Sequence, residues 1–147
     1  MITVDDIKSI AASGEGYNAE FKVSAPANVR KLTEEICAFA NASGGVLLIG
    51  VDDNNVIQGA TIDNAKRSAI HNSIGEISPA INCDVYAVDV DGNEIWVIEV
   101  PSGTQKPYVL SGAIYVRNGP NSQKVTTVEE MRDFFQQADR IYFDETP

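Results

Sequence analysis

The sequence predicts an α+β domain, a single unit with a mixed β-sheet flanked by helices. Three features predict it. Apolar residues recur at helical spacing in four separated stretches, segments patterned as strands stand between them, and several of those segments are joined by hairpin-length turns rather than by helices. A chain of 147 residues is one ordinary domain, long enough to bury a core and short for two.

The first helix is expected over residues 3–12, with Thr3 as its cap, Asp5 and Asp6 in the first turn, and Ile7 and Ile10 on one face. Gly14-Glu15-Gly16 breaks it. Residues 18–24 alternate, placing Ala19, Phe21 and Val23 on one side and Glu20 and Lys22 on the other. Pro26 opens the strongest helix, where Val29, Leu32, Ile36, Phe39 and Ala40 share a face and Arg30/Glu34 and Lys31/Glu35 are i,i+4 pairs. Gly44-Gly45 ends it, and Asn41 is expected to tie down that turn.

Residues 46–51 are continuously apolar, as in a central strand covered on both faces. A turn over residues 52–55 leads to a short partner strand at Val56-Ile57. A helix follows over 61–77, stopped by Ser78-Pro79. Residues 85–90 and 95–100 form a hairpin around Asp91-Gly92-Asn93, with Trp96 and Ile98 on one face and Ile95 and Val97 on the other. A strand over 113–117 ends at Asn118-Gly119-Pro120. Thr127 and Glu130 make a capping box for a last amphipathic helix carrying Val128, Met131, Phe134, Phe135 and Ala138.

Several function classes drop out. No apolar run approaches a membrane span and no leader pattern opens the chain, so a cytoplasmic protein without a membrane partner is expected. Cys37 and Cys83 make neither a disulfide framework nor a metal pair and read as buried free thiols. His71 is the only histidine, which removes most zinc and triad chemistry. No G-x-x-x-x-G-K-[ST] run is present to cradle nucleotide phosphates.

The formal charge of −10 argues against a polyanionic partner, but the acids are unevenly spread. Residues 21–33 and 100–128 contain no acid; the first stretch carries Lys22, Arg30 and Lys31, the second Lys106, Arg117 and Lys124. Side by side, these segments would make one basic surface on an acidic body, and local field decides where a polyanion docks.

Ala19-Glu20-Phe21-Lys22, then Ala38-Phe39-Ala40-Asn41-Ala42-Ser43-Gly44-Gly45, Ile49-Gly50-Val51-Asp52, Lys106-Pro107 and Tyr115-Val116-Arg117-Asn118-Gly119 occur in that order. Together they resemble the Schlafen AlbA-like domain of many bacterial transcriptional regulators, over residues 14–117. The resemblance implies a nucleic-acid-binding domain, taken over residues 1–140, DNA before RNA, and the charge pattern offers Lys22, Arg30, Lys31, Lys106, Arg117 and Lys124 as its phosphate contacts. Residues 141–147 resemble the linker into a further, winged-helix part, so a truncated chain is expected.

The same resemblance implies an alternative. In eukaryotic Schlafen proteins the domain can be a metal-dependent ribonuclease with three carboxylates, and the E-x4-E-x-K pattern falls on Glu15, Glu20 and Lys22, the following acid on Asp52. Two or three convergent carboxylates suit magnesium or manganese, and Lys22 would stabilise charge on phosphorus. Without that chemistry, Glu20 and Lys22 are a surface ion pair and Asp52 begins a turn. A third reading is an oligomerising or ligand-sensing domain, whose last helix, through Phe134 and Phe135, pairs with a second copy of the chain or packs on a further carboxy-terminal part.

Overall fold

The protein is described by a computed structural model covering the backbone of residues 1–145 and the side chains of residues 1–137. Helix α1 (Val4–Ser13) begins where the sequence places it. Thr3 Oγ1 accepts from the Asp6 amide at 3.2 Å, and Asp6 Oδ2 accepts from the Thr3 amide at 2.8 Å. Thr3→Ala removes one half of this box and is expected to cost about 1 kcal/mol of stability in a denaturant titration.

Strand β1 (Ala19–Lys22) is followed by α2 (Arg30–Ala40) and β2 (Gly45–Ile49). Helix α2 starts four residues after Pro26 for a local reason. Asn28 Oδ1 takes the Arg30 amide at 3.0 Å, while the Pro26 and Ala27 carbonyls, which a helix would use internally, accept from Lys66 Nζ. Gly45 opens β2 because any Cβ there would overlap the Phe39 ring. At its far end Gly50 (φ 117) turns the chain, so Val56-Ile57 contributes only the isolated bridge Val51–Ile57, not the expected strand.

Helix α3 (Asn64–Ile74) is capped by Asp63, whose Oδ1 accepts from the Lys66 amide at 2.7 Å. It is shorter than the apolar register suggests, because Ile77 belongs instead to β3 (Ile77–Ser78). The hairpin β4 (Asp84–Val90) and β5 (Asn93–Val100) turns at Asp91 (φ 53) and Gly92 (φ 88), the left-handed pair that two-residue loops require. Strands β6 (Val109–Leu110), β7 (Ala113–Asn118) and β8 (Asn121–Lys124) lead to α4 (Val128–Glu145).

The strands form two four-stranded sheets, one mixed (β1-β2-β5-β4, with only β1 and β2 parallel) and one antiparallel (β3-β6-β7-β8). The middle of the mixed sheet, along β2 and β5, is buried on both faces. Leu47, Ile49, Trp96, Ile98 and Val100 pack under α2, α3 and the second sheet. Phe21, Leu48, Ile95 and Val97 pack under Ile7 and Ala11 of α1. The face assignment read from the hairpin therefore holds.

Asn41 does have a structural role, with a different target from the turn expected. Its amide donates to the Tyr108 and Tyr115 carbonyls, each at 2.9 Å, and its Oδ1 accepts from the Tyr108 amide at 2.7 Å, fastening the second sheet to the end of α2. Cys37 is buried and Cys83 half-buried; both are free thiols, pushed up to about 11 and about 12 by burial.

In α4, Phe134 is buried, whereas Phe135, 39% exposed, faces solvent, as do Val128 and Met131. The two rings meet edge to face with centroids 5.6 Å apart, so the expected exposed Phe134/Phe135 face is divided. Residues 141–145 of the expected linker continue α4, while the Ala138 side chain and residues 146–147 lie outside the described residues. Among the described residues no helix is long and apolar enough to cross a membrane.

Candidate functional site

The strand face that carries Glu20 and Lys22 turns towards α2 and the β7–β8 hairpin. In the β7–β8 register Tyr115 opposes Lys124 and Arg117 opposes Ser122. Alternation along β7 puts Ala113, Tyr115 and Arg117 on its buried face. Arg117 therefore points inward, its side chain 0% exposed.

Four acceptors surround that guanidinium. It donates to Glu20 Oε1 at 3.1 Å, Ser122 Oγ at 2.8 Å, the Gly16 carbonyl at 2.6 Å and the Tyr17 carbonyl at 3.3 Å. It also lies 4.4 Å from the centre of the Phe39 ring. The loop between α1 and β1 is thereby clamped to the second sheet. Glu15, on that loop, accepts from the Phe21 amide at 2.9 Å.

Next to Arg117, Lys22 pairs with Glu35 of α2 at 2.7 Å. Three carboxylates, Glu15, Glu20 and Glu35, thus share a half-buried volume with two cations. Burial, then the Glu35 charge and the hydrogen bond with Glu15, push Glu20 up to about 7 against the opposing pull of Arg117. Burial also raises Glu35, although Lys22 opposes it. Burial disfavours the charge on Lys22, but its Glu35 partner outweighs that and raises it. Glu35 Oε2 is buried with no hydrogen-bond partner among the described residues. Above this cluster opens a groove of about 370 Å³, bordered by Lys31 and Glu34 of α2 and by Tyr115, Asn121 and Ser122.

Of the expected catalytic set, Glu15, Glu20 and Lys22 come together and Asp52 does not join them. Asp52 Oδ1 accepts from the Asn54 and Val56 amides, both at 2.9 Å, and Oδ2 from Gln58 Nε2 at 2.7 Å. The Val56 amide first, and then the Gln58 and Asn54 bonds, hold its carboxyl below the ordinary range. With Glu20 held by Arg117 and Asp52 by its own turn, the three do not fit magnesium or manganese as one ligand set. Among the described residues no group of three His, Cys, Asp or Glu is arranged to hold a metal ion.

The expected phosphate contacts divide by exposure. Lys31 and Lys124 are exposed, and Arg30 is half-buried, donating to Ser111 Oγ at 2.8 Å. Lys106 sits by Asn41 and Ala42 at the other end of α2 and donates to Ser102 Oγ at 3.3 Å. Lys22 is committed to Glu35, and Arg117 is too deeply enclosed to touch a phosphate. The interior of the protein, not a bound polyanion, satisfies its charge.

Sequence reasoning missed Glu35 as a site residue by pairing it with Lys31 along the helix surface. The signal was present. Glu35 stands three residues after Leu32 and four before Phe39, on the helix face that the apolar periodicity turns inward.

Comparison with known proteins agrees with this architecture. The family model described as Schlafen, AlbA_2 matches residues 15–126. No curated protein matches the chain. Among solved structures, the DIP2311 protein from Corynebacterium diphtheriae superposes with a TM-score of 0.60 at 23% identity, over 92% of this chain and 32% of that one. The N-terminal domain of an ATP-dependent DNA helicase RecG-related protein from Nitrosomonas europaea gives 0.57 at 23% identity, over 86% of this chain and 95% of that one. The chain spans about a third of the corynebacterial protein's length, and at these identities the likeness is one of fold.

Proposed function

The chain belongs to the Schlafen AlbA_2 family, and from that premise we propose that it is a nucleic-acid-binding domain of a bacterial transcriptional regulator, with DNA as its first partner. One observation carries the reading: the two acid-free stretches lie side by side. Arg30 of the first reaches Ser111 of the second, and Lys31 shares a groove with Asn121 and Ser122. Lys124 stands opposite Tyr115 on the same hairpin. Arg30 and Lys31 of α2 and Lys124 of the neighbouring hairpin would supply the phosphate contacts, with Asn121 and Ser122 beside Lys31 as neutral donors and Glu34 on the same groove opposing them. The helicase-related name of the Nitrosomonas neighbour makes DNA the first substrate to try.

Binding by so few cations is expected to be weak and steeply salt-dependent, with a slope of log K against log salt of about −3 for three neutralised phosphates. Anisotropy of labelled duplex DNA and single-stranded RNA across a salt series measures it. Lys31→Gln or Lys124→Gln should each reduce the slope by about 1 and weaken binding on every sequence alike. No binding to either nucleic acid at the lowest salt overturns the proposal. Cleavage in manganese that disappears in a Glu15→Ala/Glu20→Ala double variant would replace it with the nuclease alternative.

A further inference from the structure

The mixed sheet ends in β1 on one side and β4 on the other, and the chain treats the two edges differently. Beside β1 the preceding loop folds back over the edge. The Gly16 amide donates to the Ala19 carbonyl at 3.1 Å, and Glu15 accepts from the Phe21 amide at 2.9 Å. Beside β4 no such cover exists. Val90 and Asn93 close the hairpin as its first hydrogen-bonded pair, so Val88, Tyr86 and Asp84 also bond inward to β5. The N–H and C=O groups of Val85, Ala87 and Asp89 then point away from the sheet, and none of them is hydrogen-bonded among the described residues.

Strand β4 also lacks the usual devices that keep an open edge unpaired. It carries no Lys, Pro or Gly, and its register with β5 runs without a bulge over residues 84–90. Ala87, at its middle, is small and exposed. The remaining defence is charge, from Asp84 and Asp89, one near each end. Their placement selects one arrangement of a second strand instead of forbidding all of them. When β4 is laid antiparallel to a copy of itself about an axis at Ala87, all 7 of its residues pair. Asp84 falls opposite Val90, Val85 opposite Asp89 and Tyr86 opposite Val88, so no acid faces an acid and aromatic meets β-branched side chain. The same register supplies a cation. Tyr86, Val88 and Val90 lie on the face covered by α1, and alternation puts Asp84 there too. Asp84 of the second copy therefore arrives beside Val90, next to Asp91, whose carboxylate holds Lys8 Nζ of α1 at 2.9 Å.

We propose that β4 is a homodimer interface, where two copies join their mixed sheets edge to edge about a two-fold axis at Ala87. Such an interface is isologous, and Val85, Ala87 and Asp89 exchange backbone bonds with Asp89, Ala87 and Val85 of the second copy. It uses no residue of α4 or of the basic groove, so it stands whether or not nucleic acid binds.

Sedimentation equilibrium of the intact chain from micromolar to millimolar concentration tests it, with a monomer–dimer equilibrium expected. Ala87→Pro removes both backbone bonds at the axis and should weaken the dimer about tenfold or more. The monomer tolerates proline there because the lost N–H faces outward. Ala87→Lys, which sets two ammonium groups face to face, should weaken it as well, and circular dichroism checks that both variants keep the fold. Oxidation reads the register. In a Cys83→Ser background, Ala87→Cys should cross-link to its own copy, since hydrogen-bonded partners have Cα atoms about 5.5 Å apart, within disulfide reach. Asp89→Cys should not, because its counterpart lies about 13 Å along the strand. A monomer at every concentration overturns the proposal. So does a dimer that persists in both Ala87 variants, as one formed through Phe135 of α4 would, or cross-linking of Asp89→Cys as readily as of Ala87→Cys.

Discussion

Replacing Arg117 with methionine lowers the free energy of unfolding by about 3–5 kcal/mol, the range for removing one partner of a buried ion pair. The side chain is fully enclosed and holds Glu20, Ser122 and the carbonyls of Gly16 and Tyr17 together. Methionine fills much of the space over Phe39 but leaves the Glu20 carboxylate beside Glu35 and Glu15 with no guanidinium to oppose them. Lysine does not rescue it, because a single ammonium cannot reach acceptors spread around a planar fork. Urea unfolding followed by circular dichroism measures the loss, and a loss below about 1 kcal/mol would show that the clamp is dispensable. Adding Glu20→Gln to the methionine variant should restore part of the stability, since the pair interacts directly and its effects are not additive.

The clamp also shows what could be read from sequence. The hairpin of β4 and β5, the Thr3 cap and the two faces around Trp96 were legible because each rests on a local signal: alternation, a short polar side chain, or a Gly in the turn. The split into two sheets was not. Strands β3 and β6 are two residues each, too short to leave a periodic trace, and their pairing is decided by contacts distant in sequence. Arg117 was read as a phosphate contact from its charge alone, although its alternation with Ala113 and Tyr115 already placed it on the inner face. Asp52 shows the reverse case. Its turn-forming habit, a local property, describes its observed partners, whereas its proposed place beside Glu15 and Glu20 depended on long-range folding that no local pattern encodes.

Stability is also expected to fall as pH rises from about 5 to 8. Three carboxylates face two cations around Glu20, so one proton held there balances the cluster. Burial first, and then the charge of Glu35, raise Glu20 from the ordinary 4.5 to about 7 in the folded protein. Between those values the native state keeps a proton that the unfolded chain has released. Stability is therefore fully present below the unfolded value and is lost progressively as pH passes through the folded one. At about 1.4 kcal/mol per unit, the loss from Glu20 is on the order of 3 kcal/mol by pH 8. Glu35, raised by its own burial, contributes in the same direction. Glu20→Gln carries no titrating proton at this position, so its unfolding free energy should fall less steeply over the window, with the Glu35 contribution remaining, and exceed that of the parent at pH 8. The remaining amide oxygen can still accept from Arg117, which keeps the clamp closed. Parallel urea titrations at pH 5, 6, 7 and 8 separate the outcomes. A parent profile that is level, or that rises with pH, would mean that Glu20 is ionised throughout, with Arg117 rather than burial setting its charge.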